Sequence, residues 1–161
     1  MTNPIKTLVV VFSYNHNNAE KVAKVFANVF DAQIITPKQV DPEDFQEYDL
    51  VGFGAGIDSG KHYKVLLDLA DKLPNVDNKK AFIFSTSGVT GEKKLAKDHL
   101  ALREKLQSKG YIIVDEFQCK GFNTNSFMRF FGGMNKGRPN VNDLKNVEKF
   151  AQNLKQQLQN N

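Results

Sequence analysis

The feature that most constrains the fold of this chain is an apolar run that ends abruptly in a polar loop, at residues 8–18. Residues 8–12 are rich in β-branched side chains and lack polar alternation, which is typical of a parallel strand buried on both faces. Apolar residues at helical spacing then begin at Ala19 and continue to Phe30. The sequence therefore predicts a buried strand, a short polar loop and a helix.

This arrangement favours binding of a phosphate at the loop. The start of a helix directs unpaired backbone N–H groups and the positive end of the helix dipole at one point. The side chains of Ser13, Asn15, Asn17 and Asn18 can add hydrogen bonds, and the loop contains no Lys or Arg. The alternative is a helix N-cap and a turn without a ligand, because Ser and Asn are good caps. The loop matches neither of the common nucleotide motifs, GxxxxGK[ST] and GxGxxG.

Further strand-like segments alternate with helical patterns along the rest of the chain. Strands are predicted at residues 32–36, 49–54, 80–85 and 111–117. A helix with Leu66, Leu69, Ala70 and Leu73 on one face follows the third strand. One continuous helix is predicted at 92–109, capped by Gly110, and a last helix begins after Asn140. Residues 40–48 form a connector with a helical turn. This order predicts an α/β fold with a doubly wound, five-stranded parallel sheet.

The polar loops of this pattern all follow the carboxyl ends of predicted strands. They span residues 13–18, 55–62, 85–91 and 118–140 and are rich in Gly, Ser and Asn. Ligands of doubly wound sheets bind at this edge, where the strand order reverses. The sequence therefore predicts one ligand site built from four loops.

These loops resemble those of the flavodoxin family over nearly the whole chain. The family's phosphate loop, T/S-x-T-G-x-T, is matched by Ser13-x-Asn15-His16-x-Asn18, with His in place of Gly. The segments GxGIDSGK, STSG and GGMNKGRPN resemble a small bacterial branch of flavodoxin-like proteins. The resemblance implies strand order 2-1-3-4-5, a single domain over residues 1–161, and FMN as the cofactor.

The resemblance also implies which residues contact FMN. The first loop would hold the phosphate, residues 56–61 would pack on one edge of the isoalloxazine, and residues 85–88 would hydrogen-bond its pyrimidine edge. The chain has no Trp, so stacking would fall to Ile57, Tyr14, His62, Tyr63 or Phe122. The implied cofactor-binding residues are Ser13, Tyr14, Asn15, His16, Asn17, Asn18, Gly56, Ile57, Asp58, Ser59, Gly60, Lys61, Ser85, Thr86, Ser87, Gly88 and Phe122.

The composition limits the cellular location and the binding partners that we expect for this protein. No apolar run approaches the roughly 20 residues of a membrane span, and the N-terminal residues show no signal-peptide pattern. Cys119 is the only cysteine, so an internal disulfide is excluded and a reducing cytoplasm is expected. A net charge of +4 permits anionic partners without requiring nucleic acid. We expect a monomer or weak dimer that binds neither nucleic acid nor membrane.

Other chemistries find little support in the sequence. The segment STSG does not match the G-x-S-x-G elbow of hydrolases, and no motif places any of the three His residues as a base. His99 lies beside an apolar helical stripe and is expected to be structural, and no metal-ligand spacing occurs. The sequence thus favours an FMN-binding electron-transfer protein, either a carrier or a small reductase, so FMN-dependent oxidoreductase activity is left open. The alternative is a flavodoxin-like protein-binding module that has lost FMN.

The segment 119–140 is long for a connection in a compact fold. It holds four basic residues, Lys120, Arg129, Lys136 and Arg138, and no acid occurs between residues 117 and 142. Its aromatic residues recur at helical spacing and would, in one interpretation, cover the sheet edge. In the other, the segment borders the flavin pocket and forms the docking surface for an acidic redox partner protein or a small anionic substrate.

Overall fold

The computed structural model describes residues 4–13, 18–121 and 137–160. Its strands are β1 (Thr7–Phe12), β2 (Gln33–Ile35), β3 (Leu50–Asp58), β4 (Lys61–His62), β5 (Lys79–Ser87) and β6 (Tyr111–Lys120). Its α-helices are α1 (Asn18–Phe30), α2 (Lys64–Lys72), α3 (Glu92–Asp98), α4 (Leu100–Ser108) and α5 (Val141–Gln159). A 3-10 helix, Pro42–Glu47, precedes β3.

Five of the strands form a parallel sheet in the spatial order β2-β1-β3-β5-β6. This confirms the predicted α/β fold, and the five parallel strands follow the predicted order. The difference is β4, which the sequence did not predict. It pairs antiparallel with the end of β3, because residues 55–62 fold back as a hairpin instead of forming an open loop.

Helices cover both faces of the sheet, as a doubly wound fold requires. On one face, which we call the α1/α5 face, the buried side chains of these two helices include Phe26 and Val147. On the other, the α2/α4 face, the buried side chains include Leu66 and Leu102, and Phe45 of the 3-10 helix completes the layer. The helical periodicity predicted for α1 therefore selected its buried side correctly.

Aromatic rings fill the centre of the α1/α5 face. The ring centroid of Phe26 lies 4.7 Å from that of Phe82 and 5.1 Å from that of Phe84. Glycines in the neighbouring strand β3 make room for these rings. A Cβ on Gly52 would lie 2.2 Å from the Phe82 ring, and one on Gly54 would lie 2.0 Å from the Phe84 ring. The two glycines are therefore required by the close approach of the rings.

A β-bulge in β6 changes which side chains face which helix layer. Ala81 pairs with Ile113 and Phe82 pairs with Asp115, so Val114 is an extra residue in β6. Side chains alternate between the faces of a strand, and one extra residue reverses the alternation beyond it. As a result, the later residues Phe117 and Cys119 join the α1/α5 core. Glu116 and Gln118 are turned to the α2/α4 face.

Three strand ends and one helix differ from the sequence-based expectation. Strands β3, β5 and β6 continue past their predicted ends because ladder pairing overrides the low strand propensity of their Gly, Ser and Asp residues. The predicted helix at 92–109 is divided at His99 into α3 and α4. Gly110, with φ of +101°, follows α4 as predicted. Within the described ranges, no helix combines the length and apolar character needed to cross a bilayer.

Candidate functional site

The carboxyl ends of β1, β3, β5 and β6 meet at one edge of the sheet, which we call the rim. Gly56 of β3 pairs with Thr86 of β5, and the N–H of Gly121 donates to the carbonyl of Ser87 at 3.1 Å. A Cβ on Gly121 would lie 2.7 Å from the Asn18 amide nitrogen, so the end of β6 also packs against the start of α1. For the described residues, the structure brings the predicted loops together.

The start of α1 provides the first part of the rim. The hydroxyl of Ser13 accepts a hydrogen bond from the N–H of Glu20 at 3.4 Å, which is a partial version of the cap that we considered as the alternative. The first N–H groups of any helix have no partner within it, and that of Glu20 in α1 is the one that reaches Ser13. Asn18 is buried there. The predicted residues Tyr14, Asn15, His16, Asn17 and Phe122 lie outside the described residues.

The β3–β4 hairpin provides the second part. Ile57 pairs with His62 and Asp58 with Lys61, and the connecting residues Ser59 and Gly60 have φ of +53° and +80°. Positive φ at both central residues is typical of the type I′ turn, which suits the twist of a tight hairpin. The tip is exposed. Residues 58–61 therefore form a projecting edge that a planar ligand can pack against.

The end of β5 provides the third part, but not all of it faces the rim. Ser85 is fully buried and Thr86 is 5% exposed, whereas Ser87 and Gly88 are partly exposed. Because β5 remains a strand up to Ser87, its side chains keep alternating, and that of Ser85 is directed into the α2/α4 face. The Ser85 side chain therefore does not face the rim, and the contact of residues 85–88 with a flavin stays a prediction.

His62 is one of the five side chains named as candidates for stacking on a flavin. It is only 1% exposed, so its ring does not offer a face at the rim. Its Nε2 instead lies 3.0 Å from the carbonyl oxygen of Phe84, because β4 folds back over the sheet. The His62 ring centroid lies 4.8 Å from that of His99.

A buried polar network lies directly beneath the hairpin and the end of β5. The hydroxyl of Ser85 lies 2.7 Å from Nε2 of His99, and Nδ1 of His99 lies 2.9 Å from Oε1 of Glu116. Arg103 donates to both oxygens of the Glu116 carboxylate at 2.8 Å. The sequence prediction that His99 is structural agrees with this position, but the network itself was not predicted.

A second branch of the network passes through Gln118. Its amide nitrogen donates to Oδ2 of Asp98 at 2.9 Å and to the Ser85 hydroxyl at 3.3 Å. Asp98 also pairs with Lys94 at 2.5 Å. Polar groups from α3, α4, β5 and β6 are thus joined within one buried layer.

The charges in this layer are set by burial and by hydrogen bonds. Burial alone would raise the pKa of Glu116, but hydrogen bonds from His99 and Arg103, with the charge of Arg103, lower it to about 2. Burial, with a smaller contribution from the neighbouring His99, lowers the pKa of His62 to about 3. At neutral pH, Glu116 is therefore a carboxylate and His62 is a neutral imidazole.

Ser85, His99 and Glu116 follow the hydrogen-bond order of a hydrolase triad. A nucleophile must be reached by its substrate, however, and Ser85 and His99 are both fully buried. The arrangement therefore supports the loops above it and does not form a hydrolytic site. No sequence motif could have identified it, because the three residues come from β5, the α3–α4 junction and the bulged part of β6.

Both described ends of the segment 119–140, at Cys119 and at Arg138, are tied to the rest of the fold. Cys119 is buried, which raises the pKa of its thiol to about 12 and makes it unreactive. Arg138 forms a bidentate ion pair with Asp143. Asp143 and Asn140 form a capping box at the start of α5. The charge of Arg138, one of the four basic residues, is therefore neutralised by Asp143, the first acid after the segment.

Comparison with known proteins agrees with this architecture. A family model described as a flavodoxin domain, Flavodoxin_3, matches residues 9–156. An uncharacterized protein of Methanocaldococcus jannaschii is 43% identical over 150 residues, which cover 93% of this chain and 98% of that protein.

Solved structures show the same fold at low sequence identity. Flavodoxin 2 from Bacillus cereus superposes with a TM-score of 0.70 at 17% identity, covering 94% of this chain and 99% of that one. A flavodoxin from the domain Archaea gives a TM-score of 0.62 at 15% identity, covering 96% and 99%. The doubly wound sheet with its rim of loops thus defines a flavodoxin-like α/β protein. The chain belongs to the flavodoxin family.

Proposed function

We propose that the protein binds FMN at the rim and transfers electrons, either as a carrier or as a small cytoplasmic reductase. The observation that carries this proposal is the convergence of three features at one edge of the sheet. These are the N-terminus of α1, the projecting β3–β4 hairpin and the partly exposed end of β5.

The described residues fit FMN in distinct roles. Ser13 and the first N–H groups of α1 lie where a phosphate would be held by dipoles. Residues 58–61 offer an exposed edge to the isoalloxazine, and Ser87 and Gly88 remain as the polar groups of the third loop. FMN, when bound, would supply the redox chemistry, while the protein orients it and sets its electrostatic surroundings.

The phosphate assignment is tested by the variant Asn15→Asp. It would place a carboxylate against the phosphate dianion, so we expect at least a tenfold loss of FMN affinity, about 1.4 kcal/mol. Binding is measured by absorption titration with FMN and with riboflavin, which lacks the phosphate and should be affected much less. Asn153→Asp, on the exposed side of α5, is the matched control with the same charge change.

The titration also separates the two candidate functions. Failure of the wild-type protein to bind FMN would overturn the proposal and favour a protein-binding module of the same fold. Equal losses for FMN and riboflavin in Asn15→Asp would remove the phosphate from this loop. A loss in Asn153→Asp as large as that in Asn15→Asp would show a general charge effect.

We further propose that the basic segment docks an acidic redox partner or a small anionic substrate. Because Arg138 pairs with Asp143, the residues to replace by Gln are Lys120, Arg129 and Lys136. We expect FMN binding to survive and the salt dependence of electron transfer to decrease, since screening acts on exposed charges. Lys149→Gln, at an exposed position of α5, is the control. An unchanged salt dependence in the triple variant would overturn this proposal.

A further inference from the structure

The β3–β4 hairpin needs support from the rest of the fold. Strand β4 has only two residues, and two-stranded hairpins are marginally stable by themselves. Its tip residues are exposed at the rim, so they bury little apolar surface and add little to the stability of the hairpin. Tyr63, which follows β4, packs edge-on against Phe12 with ring centroids 5.7 Å apart. His62 is the residue of β4 that enters the interior.

The hydrogen bond of His62 fixes its tautomer. The carbonyl oxygen of Phe84 can only accept, so Nε2 of His62 carries the proton and donates it over 3.0 Å. Nδ1 is then an acceptor, and it has no hydrogen-bond partner in the described part of the chain. The single donated hydrogen bond therefore ties the base of the hairpin to the backbone of β5.

The His99 ring packs against the His62 ring, and both nitrogens of His99 have hydrogen-bond partners. Glu116, which is ionised, accepts from Nδ1–H of His99, and Nε2 of His99 lies 2.7 Å from the Ser85 hydroxyl. Gln118 donates in turn to the oxygen of Ser85. Hydrogen bonds at both ring nitrogens therefore fix the position of the His99 ring. The His62 ring rests 4.8 Å from it, centroid to centroid.

We propose that His62 is a positioning residue that, supported by His99 and Ser85, holds the hairpin at the place where it contacts the flavin ring. This inference rests on the proposed function for the identity of the ligand. The part that concerns the hairpin rests on the contacts of His62 alone.

The test compares His62→Phe with His62→Gln. The Phe variant keeps a ring beside His99 and removes the donor to Phe84, whereas the Gln variant retains an amide N–H donor. We expect His62→Phe to raise hydrogen–deuterium exchange in residues 57–62 and to weaken FMN and riboflavin about tenfold each. Both ligands are affected because the hairpin would contact the ring, not the phosphate. The midpoint potential of the bound flavin should shift, and His62→Gln should recover most of each effect.

A second variant and a control keep the test decisive if His62→Phe does not fold. Ser85→Ala removes the hydroxyl that orients His99 and should raise hairpin exchange by a smaller factor. Tyr111→Phe is the matched control, because Tyr111 has a buried hydroxyl without a hydrogen-bond partner among the described residues. It lies on the same face, at the opposite end of β6, paired with Lys79. It should leave hairpin exchange and flavin affinity unchanged.

Each outcome decides a separate statement. Unchanged hairpin exchange in His62→Phe and Ser85→Ala would overturn the anchoring role. Raised exchange with unchanged affinity and potential would overturn the positioning role and leave His62 as structural support. If the wild-type protein does not bind FMN, the proposed function fails and the flavin contact with it. The exchange measurement then still decides whether His62 anchors the hairpin.

Discussion

The two faces of the sheet are filled in opposite ways near the rim. On the α1/α5 face, Phe26, Phe82 and Phe84 form a continuous aromatic cluster over glycines of β3. On the α2/α4 face at the same height, His99 and Ser85, both fully buried, form hydrogen bonds within a polar layer. The same strand, β5, supplies residues to both, because alternate side chains point to opposite faces.

The difference shows that the two faces are specified by different properties. The aromatic face depends on volume, so it is sensitive to an added methyl group and insensitive to pH. The polar layer depends on direction, because each donor must meet its acceptor. It is therefore sensitive to register and to protonation. The following predictions test this contrast.

Deleting Val114 together with Asp115 should have the largest effect. Removing Val114 alone would leave Asp115 opposite Phe82 and the later residues on their present faces, whereas removing both residues brings Glu116 opposite Phe82. Glu116 and Gln118 would then face the aromatic cluster, and Phe117 and Cys119 would face the polar layer, because a one-residue slip exchanges the two faces of a strand. We expect loss of the cooperative urea transition monitored by circular dichroism. Ile112→Ala, an exposed residue of the same strand, should change stability by less than about 0.5 kcal/mol. A deletion variant with the wild-type transition midpoint would contradict this prediction.

Gly54→Ala should have the next largest effect and should act through the aromatic face alone. Its Cβ would overlap the Phe84 ring, which lies 2.0 Å from the Cβ position, and overpacking of this kind costs about 1–3 kcal/mol. Phe84→Leu in the same chain should recover part of the loss. A double-mutant cycle by urea unfolding measures the coupling. Additive losses from the two substitutions would show that the ring does not cause the effect.

Lowering the pH should have a smaller effect and should act through the polar layer. The unfolded chain protonates His62 below about pH 6.5, while the folded protein resists until about pH 3. The unfolded state therefore binds more protons than the folded state in this window, and the free energy of unfolding decreases as the pH is lowered. For His62 the loss at pH 5.5, relative to neutral pH, is about 1.4 kcal/mol. Urea unfolding at about pH 7.5 and 5.5 measures the change, and His62→Phe should lack this component. An equal pH dependence in both proteins would assign it to other groups.

Much of the fold follows from local patterns in the sequence. The apolar run at residues 8–12 and the periodicity of residues 19–30 predicted β1 and the buried side of α1, since a buried strand and an amphipathic helix require these spacings. The positions of the rim loops followed too, because parallel strands all end at the same edge. The resemblance of residues 13–18 and 54–61 to flavodoxin loops then indicated the family.

The buried layer could not be predicted, because it depends on pairing between distant strands. Nothing local shows that Val114 is an extra residue, since a bulge exists only relative to the partner strand β5. The same is true of the hairpin, which turns His62 from an apparent loop residue into a buried anchor. Sequence periodicity determined the order of the main strands and helices, but not the hairpin, the division of the helix at His99 or the ends of β3, β5 and β6. The tertiary structure decided which side chains at the rim face a ligand and which face the interior, because one residue of register reverses that choice.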